Sequence, residues 1–204
     1  MKISEMRQIV DLLYDEWDLG KKASQAKGKI CAWIYLFEIL EESEMIILEK
    51  QNKEVIGVCG YSKYDSKKNV LKKKVYSALK NIIIHSPLIK NKSAIYKYYS
   101  NYNYTPKEMK NYFGGEISIL IVDKEYRGNK IGEKLLMDTF KLAKKDNITN
   151  LQILTDESCN FQFYEKLGCK RIFETNILNG EPEKCGCNLF EKGYIYEKRL
   201  NELW

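Results

Sequence analysis

The stretch Val122-Asp-Lys-Glu-Tyr-Arg-Gly-Asn-Lys-Ile-Gly132 lies between an apolar run, Ile117–Val122, and an amphipathic run, Glu133–Lys144. These runs predict a strand and a helix, so the quoted stretch is a strand–turn–helix junction. Backbone N–H groups in the first turn of a helix lack intrahelical partners and lie at the positive end of the helix dipole. Gly128 and Gly132 would let that backbone approach a ligand closely. The junction therefore predicts a phosphate-binding loop.

A second pair of elements follows this loop. Leu151–Asp156 predicts another strand, and Asn160-Phe-Gln-Phe-Tyr-Glu-Lys-Leu-Gly168 begins with a short helix. In this order and at this separation, the two segments resemble motifs A and B of the GNAT superfamily of acyl-CoA N-acyltransferases. The family's loop reads (Gln or Arg)-x-x-Gly-x-(Gly or Ala), and Lys130 stands where its middle glycine is expected. The resemblance extends over residues 116–175.

The resemblance implies a fold and an activity. The fold would be α/β (α+β), with a mixed, mainly antiparallel sheet splayed at the strand before the phosphate loop and helices on both faces. The activity would be transfer of an acetyl group from acetyl-CoA to a primary amine. With 204 residues, of which 44% are hydrophobic, the chain can bury one sizeable core. We expect a single domain over residues 1–204, with a helical insert at about 65–113.

The resemblance also implies which residues bind the acyl donor. A bulge at the strand end would free backbone groups to hydrogen-bond the pantetheine arm and the thioester carbonyl. The loop would hold the pyrophosphate through oriented backbone N–H groups. The predicted donor-binding residues are Leu120, Ile121, Val122, Arg127, Gly128, Asn129, Lys130, Ile131, Gly132 and Asn160.

Two residues are candidates for proton transfer. The resemblance places Tyr164 in the splayed cleft as the acid that protonates the leaving thiolate; otherwise it is a packing residue. Glu116 opens the strand and would accept the amine's proton directly or through water; otherwise it is a solvated strand-end charge. Asn160 would bind the pantetheine or cap its helix, and Cys159 is interpreted as a small apolar filler. His85, the single histidine, is expected to be exposed at a helix end.

The acceptor amine is not identified by the sequence. Two acidic corners follow the first two predicted helices, and their carboxylates would suit a cationic amine or simply be solvated helix ends. The first corner contains Asp15, Glu16 and Asp18, and the second contains Glu41, Glu42 and Glu44.

Residues 65–113 contain eleven lysines against two acidic residues, and they account for the excess behind the net charge of +6. Leu71, Val75, Leu79 and Ile83 recur at helical spacing, and a capping box at Thr105 predicts a short helix. The segment is a lid over the acceptor site, a cationic aromatic surface, or an embellishment packed on the sheet. Two other functions stay open: a non-catalytic acyl-CoA-binding regulatory module, and nucleic-acid binding through the insert.

The remaining elements follow from periodicity. A helix from Ser4 to near Gly20, a second helix at about 32–42 and a hairpin over 45–64 precede the insert. A final hairpin pairs 169–175 with 194–199, and the family's usual first strand is left open.

Composition predicts the setting and the partners. No apolar run is long enough to span a bilayer and Met1–Glu5 lacks the apolar core of a signal peptide, so we expect a cytoplasmic protein. The six scattered cysteines predict free thiols and no metal site. The expected partners are a coenzyme A thioester and a small-molecule or peptide amine. We expect no nucleic acid and no membrane, and a homodimer stays open.

Overall fold

The protein is described by a computed structural model over residues 1–17, 24–64, 66, 70–86, 105–106, 109, 111–176 and 192–201. The described helices are α1 (Ile3–Glu16), α2 (Gln25–Glu42), α3 (Val70–Ile84), α4 (Ile131–Lys145) and α5 (Gln162–Lys166). The strands are β1 (Ser43–Gln51), β2 (Glu54–Lys63), β3 (Gly115–Val122), β4 (Asn150–Asp156), β5 (Lys170–Asn176) and β6 (Lys192–Arg199). The predicted helices, the two hairpins and both strand–helix motifs are confirmed.

The strands form one six-stranded sheet in the order β1-β2-β3-β4-β6-β5. Every neighbouring pair is antiparallel except β3 and β4, which run parallel. The predicted mixed, mainly antiparallel sheet is therefore confirmed. Among the described residues no strand precedes α1, which begins at Ile3 and not at Ser4. The single-domain prediction is not tested by these features.

Helices cover both faces of the sheet, because alternate residues of β3 face opposite sides. Ile119 and Ile121 are buried in a core formed with α1 and α2. Leu120 and Val122 pack instead against a second core, which contains Leu135 and other side chains of α4. Helices on both faces were predicted, and β3 is thus held from both sides.

The parallel pair β3–β4 separates soon after it begins. Only Gly115↔Leu151 and Glu116↔Gln152 are paired, although the strands have eight and seven residues. Beyond Glu116 and Gln152, which we call the vertex, backbone groups of β3 that face β4 have no ladder partner there. The predicted splay is present. The bulge lies at Ser118, where the register with β2 shifts, and not at residues 120–122 as predicted.

The insert begins with the predicted helix, α3, which packs on α2. Tyr76 stacks on Phe37, with ring centroids 6.1 Å apart. Leu71 and Val75 remain exposed, so the predicted apolar stripe is only partly covered by the described residues. Most of the insert's tyrosines and the predicted helix after Thr105 lie largely outside the described residues, as does most of the loop before β6. No helix in the described ranges has both the length and the apolar composition needed to cross a membrane.

Gly115 gives a test of the β2–β3 contact next to the vertex. A Cβ added there would lie 2.1 Å from the backbone oxygen of Ser62, so a side chain forces the two strands apart. We expect Gly115→Ala to lower the free energy of unfolding by about 3 kcal/mol, measured by urea denaturation.

The control is Gly114→Ala, because a Cβ at the neighbouring position meets only the Ile148 side chain, at 3.1 Å, as its closest contact. Its cost should be about 1 kcal/mol or less. Equal stabilities of the two variants would contradict the close strand contact.

Candidate active site

The loop between β3 and α4 has the backbone shape of an anion-binding turn. A short 3-10 turn, Lys124–Tyr126, follows β3 and is capped by Asp123, whose carboxylate accepts from the Glu125 N–H at 2.9 Å. Lys130 then adopts the left-handed conformation, with φ 58° and ψ 14°, immediately before the first residue of α4. The lysine therefore takes a conformation that glycine adopts at no steric cost, which explains how it can replace the family's middle glycine.

The first turn of α4 offers unpaired donors at this point. No side chain caps the helix, and the first intrahelical bond runs from the Lys134 N–H to the Lys130 carbonyl. The N–H groups of Ile131, Gly132 and Glu133 therefore lack intrahelical partners and face the end of the loop. A Cβ on Gly132 would be in ordinary contact with Phe163 and Val122, at 3.5 Å from each. The loop thus joins β3, α4 and α5 closely.

The Arg127 side chain is already engaged. Its Nε donates to the Val122 carbonyl at 3.1 Å, and its guanidinium forms an ion pair with Glu16 at the end of α1. The arginine therefore ties the first acidic corner to the end of β3. Gly128 has φ +81° with open space around it, and the Asn129 side chain donates to the Tyr126 carbonyl at 3.1 Å. The predicted loop residues are together, with their side chains mainly holding the loop's own shape.

Tyr164 lies on α5, which follows the separated end of β4. Its ring contacts Phe163 and Tyr196, with centroid distances of 5.4 and 5.8 Å. Burial raises the pKa of Tyr164 well above its usual value, and Cys159 and Cys59 contribute to the rise. Within the described ranges its hydroxyl has no hydrogen-bond partner. The tyrosine is therefore packed through its ring and retains an unused donor.

A polar network fixes α5 on the last hairpin. Glu165, next to Tyr164, accepts from the Tyr196 hydroxyl at 2.7 Å and from the Arg171 guanidinium at 2.8 Å. Arg171 also lies over the rings of Phe161 and Tyr194, at 4.9 and 4.3 Å from the centroids. These cation–π contacts and hydrogen bonds hold the helix that carries Tyr164.

Asn160 and Cys159 lie in the turn before α5, and both are exposed. Phe161 is the cap residue of α5 and no side chain caps the helix, so the capping alternative for Asn160 is not realised. The interpretation of Cys159 as an apolar filler is wrong, because the residue is exposed and follows the polar turn Asp156–Ser158.

Glu116 is half-buried at the vertex and is not the solvated charge considered from the sequence. One carboxylate oxygen, Oε2, accepts from the Tyr64 hydroxyl and from the Gln152 amide, each at 2.8 Å. The second oxygen, Oε1, has no hydrogen bond from any residue that the structure describes. Burial and the Glu116 charge raise the pKa of Tyr64 above its usual range, so Tyr64 stays a donor to the carboxylate.

Glu116 lines an open cavity of about 680 Å³ on the α2 side of the sheet. Glu42, the last residue of α2, lies in the same wall, and so does Lys73 of α3. Partial burial in this wall, reinforced by the Glu116 and Glu38 carboxylates, raises the pKa of Glu42 to about 7. The described lining residues are Glu42, Ser62, Lys63, Tyr64, Ser66, Lys73, Thr105, Asn111, Phe113, Glu116 and Gln152. We call this space the acidic cavity.

The acidic cavity joins residues that the sequence left apart. Tyr64, Gln152 and Ser62 were not predicted as site residues, because nothing in their local sequence marks them. Their positions in the sheet could have been found from the pairing of β2 with β3, which sets Ser62 opposite Glu116. His85 lies outside this site: it is exposed after α3, with its Nδ1 at 2.8 Å from the Asn81 carbonyl.

Metal ligation has no support in the described ranges, which contain no group of three or more histidine, cysteine, aspartate or glutamate side chains arranged to hold an ion. The absence of a metal site stays a prediction.

Comparison with known proteins agrees with this geometry. Residues 104–180 match a family model described as an acetyltransferase (GNAT) domain. A search of curated protein sequences gave no match.

Three solved structures show the same fold. Aminoglycoside 6'-acetyltransferase type Ii is 17% identical, with a TM-score of 0.58 over 97% of this chain and 90% of that one. An aminoglycoside 6'-N-acetyltransferase complexed with coenzyme A is 14% identical, with a TM-score of 0.58 over 98% and 92%. A variant of agmatine N-acetyltransferase without ligand is 10% identical, with a TM-score of 0.59 over 98% and 96%.

The left-handed conformation of Lys130 makes a prediction about stability. We expect Lys130→Gly to raise the free energy of unfolding by about 0.5–1 kcal/mol, and Lys130→Val to lower it by about 1–2 kcal/mol, because a branched Cβ clashes most at positive φ. Denaturant unfolding of the free protein measures both.

Lys134 is the matched control, since it lies inside α4 and forms an exposed ion pair with Glu49. There the glycine substitution should be destabilising by about 1 kcal/mol. Destabilisation by glycine at both positions would show that Lys130 is not strained.

Proposed function

Because the chain is an acyltransferase of the GNAT superfamily, we propose that it transfers an acetyl group from acetyl-CoA to a primary amine. The observation that carries the proposal is the separation of β3 from β4, with the first turn of α4 beside one end of the cleft and Glu116 at its vertex. The coenzyme A in one similar structure supports a coenzyme A donor. The amine acceptors named for the aminoglycoside and agmatine enzymes support an amine acceptor.

In this proposal the donor's pyrophosphate lies at the first turn of α4. The N–H groups of Ile131, Gly132 and Glu133 donate to phosphate oxygens, and the helix dipole favours their negative charge. The absence of a Cβ at Gly132 lets the phosphate approach the backbone. The Arg127 side chain acts indirectly, because its bonds to Val122 and Glu16 hold the loop against β3 and α1.

The pantetheine arm would extend along the exposed edge of β3. Leu120, Ile121 and Val122 follow the vertex, and their backbone groups on the β4 side have no ladder partner in β4. An extended ligand with amide groups satisfies such an edge as an added strand does. Asn160, exposed at the other side of the cleft, is placed as a further partner for the arm.

The reaction requires that two protons move. Acetyl-CoA supplies a thioester whose C–S bond breaks as the amine nitrogen forms the C–N bond. Starting from an ammonium group, the amine loses two protons in total; one balances the departing thiolate and one goes to solvent. An acid is therefore needed on the sulfur side of the cleft and a base on the amine side.

Tyr164 is proposed as the acid. Its hydroxyl has no partner among the described residues, and its raised pKa keeps it protonated across the neutral range. A protonated phenol donates a hydrogen bond to the developing thiolate. The raised pKa also means that a tyrosinate left by complete transfer is unstable and is quickly reprotonated, so the acid is regenerated for the next cycle.

Glu116 is proposed as the base. Tyr64 and Gln152 hold one oxygen and thereby orient the carboxylate at the vertex. Its other oxygen, Oε1, is left for the amine or for a bridging water. A carboxylate is a weak base for an aliphatic ammonium, so orientation and a site that favours the neutral amine must supply part of the effect.

The insert contributes to the acceptor side of this site. Lys73 of α3 lines the acidic cavity, which supports the proposal that the segment covers the acceptor. Two lysines of α3 are engaged with the body of the protein: Lys72 donates to the Ser43 carbonyl at 2.9 Å, and Lys80 pairs with Glu41 at 2.8 Å. Nucleic-acid binding, the non-catalytic alternative and the cytoplasmic location stay predictions.

The pyrophosphate assignment is tested with Gly132→Asp. Aspartate suits the first turn of a helix, so the variant should fold, but its carboxylate would repel the phosphates. Acetyl-CoA at about 100 times Kd should raise the wild-type melting temperature by roughly 5–10 °C, and this shift should vanish in Gly132→Asp.

Gly132→Ala is the control, because its Cβ only reaches ordinary contact distance from Phe163 and Val122. It should keep at least part of the shift. Full stabilisation of Gly132→Asp by acetyl-CoA would place the pyrophosphate elsewhere.

The acid is tested with Tyr164→Phe, which keeps the ring contacts with Phe163 and Tyr196. We expect kcat to fall by about 10²–10⁴ while the affinity for acetyl-CoA changes little. Release of free thiol in the presence of an amine measures the rate, and thermal shift measures the affinity.

Tyr61→Phe is the matched control. It also removes a tyrosine hydroxyl, which donates to Asp146 at the far end of α4, at 2.8 Å. This variant should lose stability without a comparable loss of kcat. Wild-type turnover by Tyr164→Phe, with the chemical step limiting, would make Tyr164 a packing residue.

A further inference from the structure

The wall of the acidic cavity holds two carboxylates close enough to influence each other. Glu116 is the largest charge acting on Glu42, ahead of Glu38, Lys80 and Glu41. Lys80 is itself paired with Glu41 at 2.8 Å, so it is shared with another carboxylate. Two like charges that face one cavity repel each other, and a cation placed between them would relieve this repulsion.

Ser62 provides an independent sign that the cavity is built for a ligand. The residue is only 5% exposed and lines the cavity, and its hydroxyl has no hydrogen-bond partner among the described residues. A buried hydroxyl without a partner is destabilising, and such groups need an explanation. An ammonium group donates hydrogen bonds and accepts none, so the Ser62 oxygen suits it as an acceptor.

The cationic residues in the wall do not neutralise this pair. Lys63 donates from Nζ to the backbone carbonyl of Asp146 at 2.6 Å, beside the Tyr61 hydroxyl and so on the α4 side of the sheet. Lys73 lines the cavity from α3, but it is not among the main charges that act on Glu42. Glu42 and Glu116 therefore remain the carboxylates offered to a ligand.

The arrangement separates the two carboxylates by role. Glu116 lies at the vertex, where β3 leaves β4 and where the reacting amine must meet the thioester. Glu42 lies at the end of α2, on a different wall of a cavity of about 680 Å³, a volume usual for small-molecule sites. A ligand with positive charge at both ends of a flexible chain fits both walls at once.

We propose that the acidic cavity binds an aliphatic diamine or polyamine, with the reacting amine at Glu116 and a second ammonium group held by Glu42 and Ser62. The assignment of the reacting end rests on the proposed acetyl transfer, whereas binding of the polyamine does not. Glu42 is a specificity residue in this arrangement and takes no part in bond making.

Binding is tested first without acetyl-CoA, with spermidine as the probe in a thermal-shift titration. Spermidine should stabilise the wild type, and Glu42→Gln should bind it about tenfold more weakly, a loss of about 1.4 kcal/mol. Ser62→Ala, a second variant with a different effect on folding, should also weaken binding. Glu41→Gln is the control, because Glu41 is paired with Lys80 and is not in the described lining, and it should bind spermidine as the wild type does.

The dependence on pH gives a second readout. The groups that face Glu42 are Glu38 and Glu41 of α2, Lys80 of α3 and Glu116 of β3, and their net effect with burial is a pKa of about 7. Since a protonated carboxyl group cannot hold an ammonium by charge, spermidine should bind more tightly as the pH rises through about 7. This dependence should be absent in Glu42→Gln.

Kinetics separate this inference from the proposed function. With acetyl-CoA, Glu42→Gln should raise KM for diaminobutane about tenfold and leave KM for butylamine, which has one amine, nearly unchanged. Glu116→Gln should lower kcat for both. Spermidine binding without any acetyl transfer would refute the proposed function and leave the polyamine site standing. No stabilisation by spermidine, or equal stabilisation of the wild type and Glu42→Gln, would overturn the polyamine site.

Discussion

The site depends on the point where β3 and β4 stop pairing. Parallel strands that separate after two residue pairs leave a row of buried-side N–H and C=O groups without ladder partners, which is costly unless a ligand or solvent satisfies them. The vertex is fixed by side chains as well, because Glu116 of β3 accepts from Gln152 of β4 at 2.8 Å. One constraint thus creates an open strand edge on one side and orients a carboxylate on the other.

The two hydrophobic cores keep the strands apart. Ile119 and Ile121 are buried against α1 and α2, so β3 cannot rotate or shift towards β4 without losing apolar burial on that face. On the other side β4 pairs along its whole length with β6, and Arg171, Glu165 and Tyr196 tie α5 to the same hairpin. Each strand is therefore held by its own neighbours, and the cleft persists as a consequence of packing.

Local sequence was sufficient to predict the elements and insufficient to predict the cavity. The strand–turn–helix at 117–144 is encoded by periodicity and turn residues that are contiguous, and it forms as predicted. The ion pair between Arg127 and Glu16 joins residues that are 111 positions apart, and no local pattern indicates it. The acidic cavity likewise takes its walls from α2, β2, α3, β3 and β4, so the association of Glu42 with Glu116 becomes visible only once the strands are paired.

Lys130 shows why a departure from a motif can indicate function. A lysine before the first residue of α4 places a cation at the positive end of the helix dipole, and its φ of 58° is unfavourable for a residue with a Cβ. Neither cost is offset by a capping side chain. An anion at the first turn of α4 would offset the electrostatic cost and would be attracted by the same lysine. Two local rules broken at one residue are therefore best explained by a ligand with negative charge at that end of the cleft.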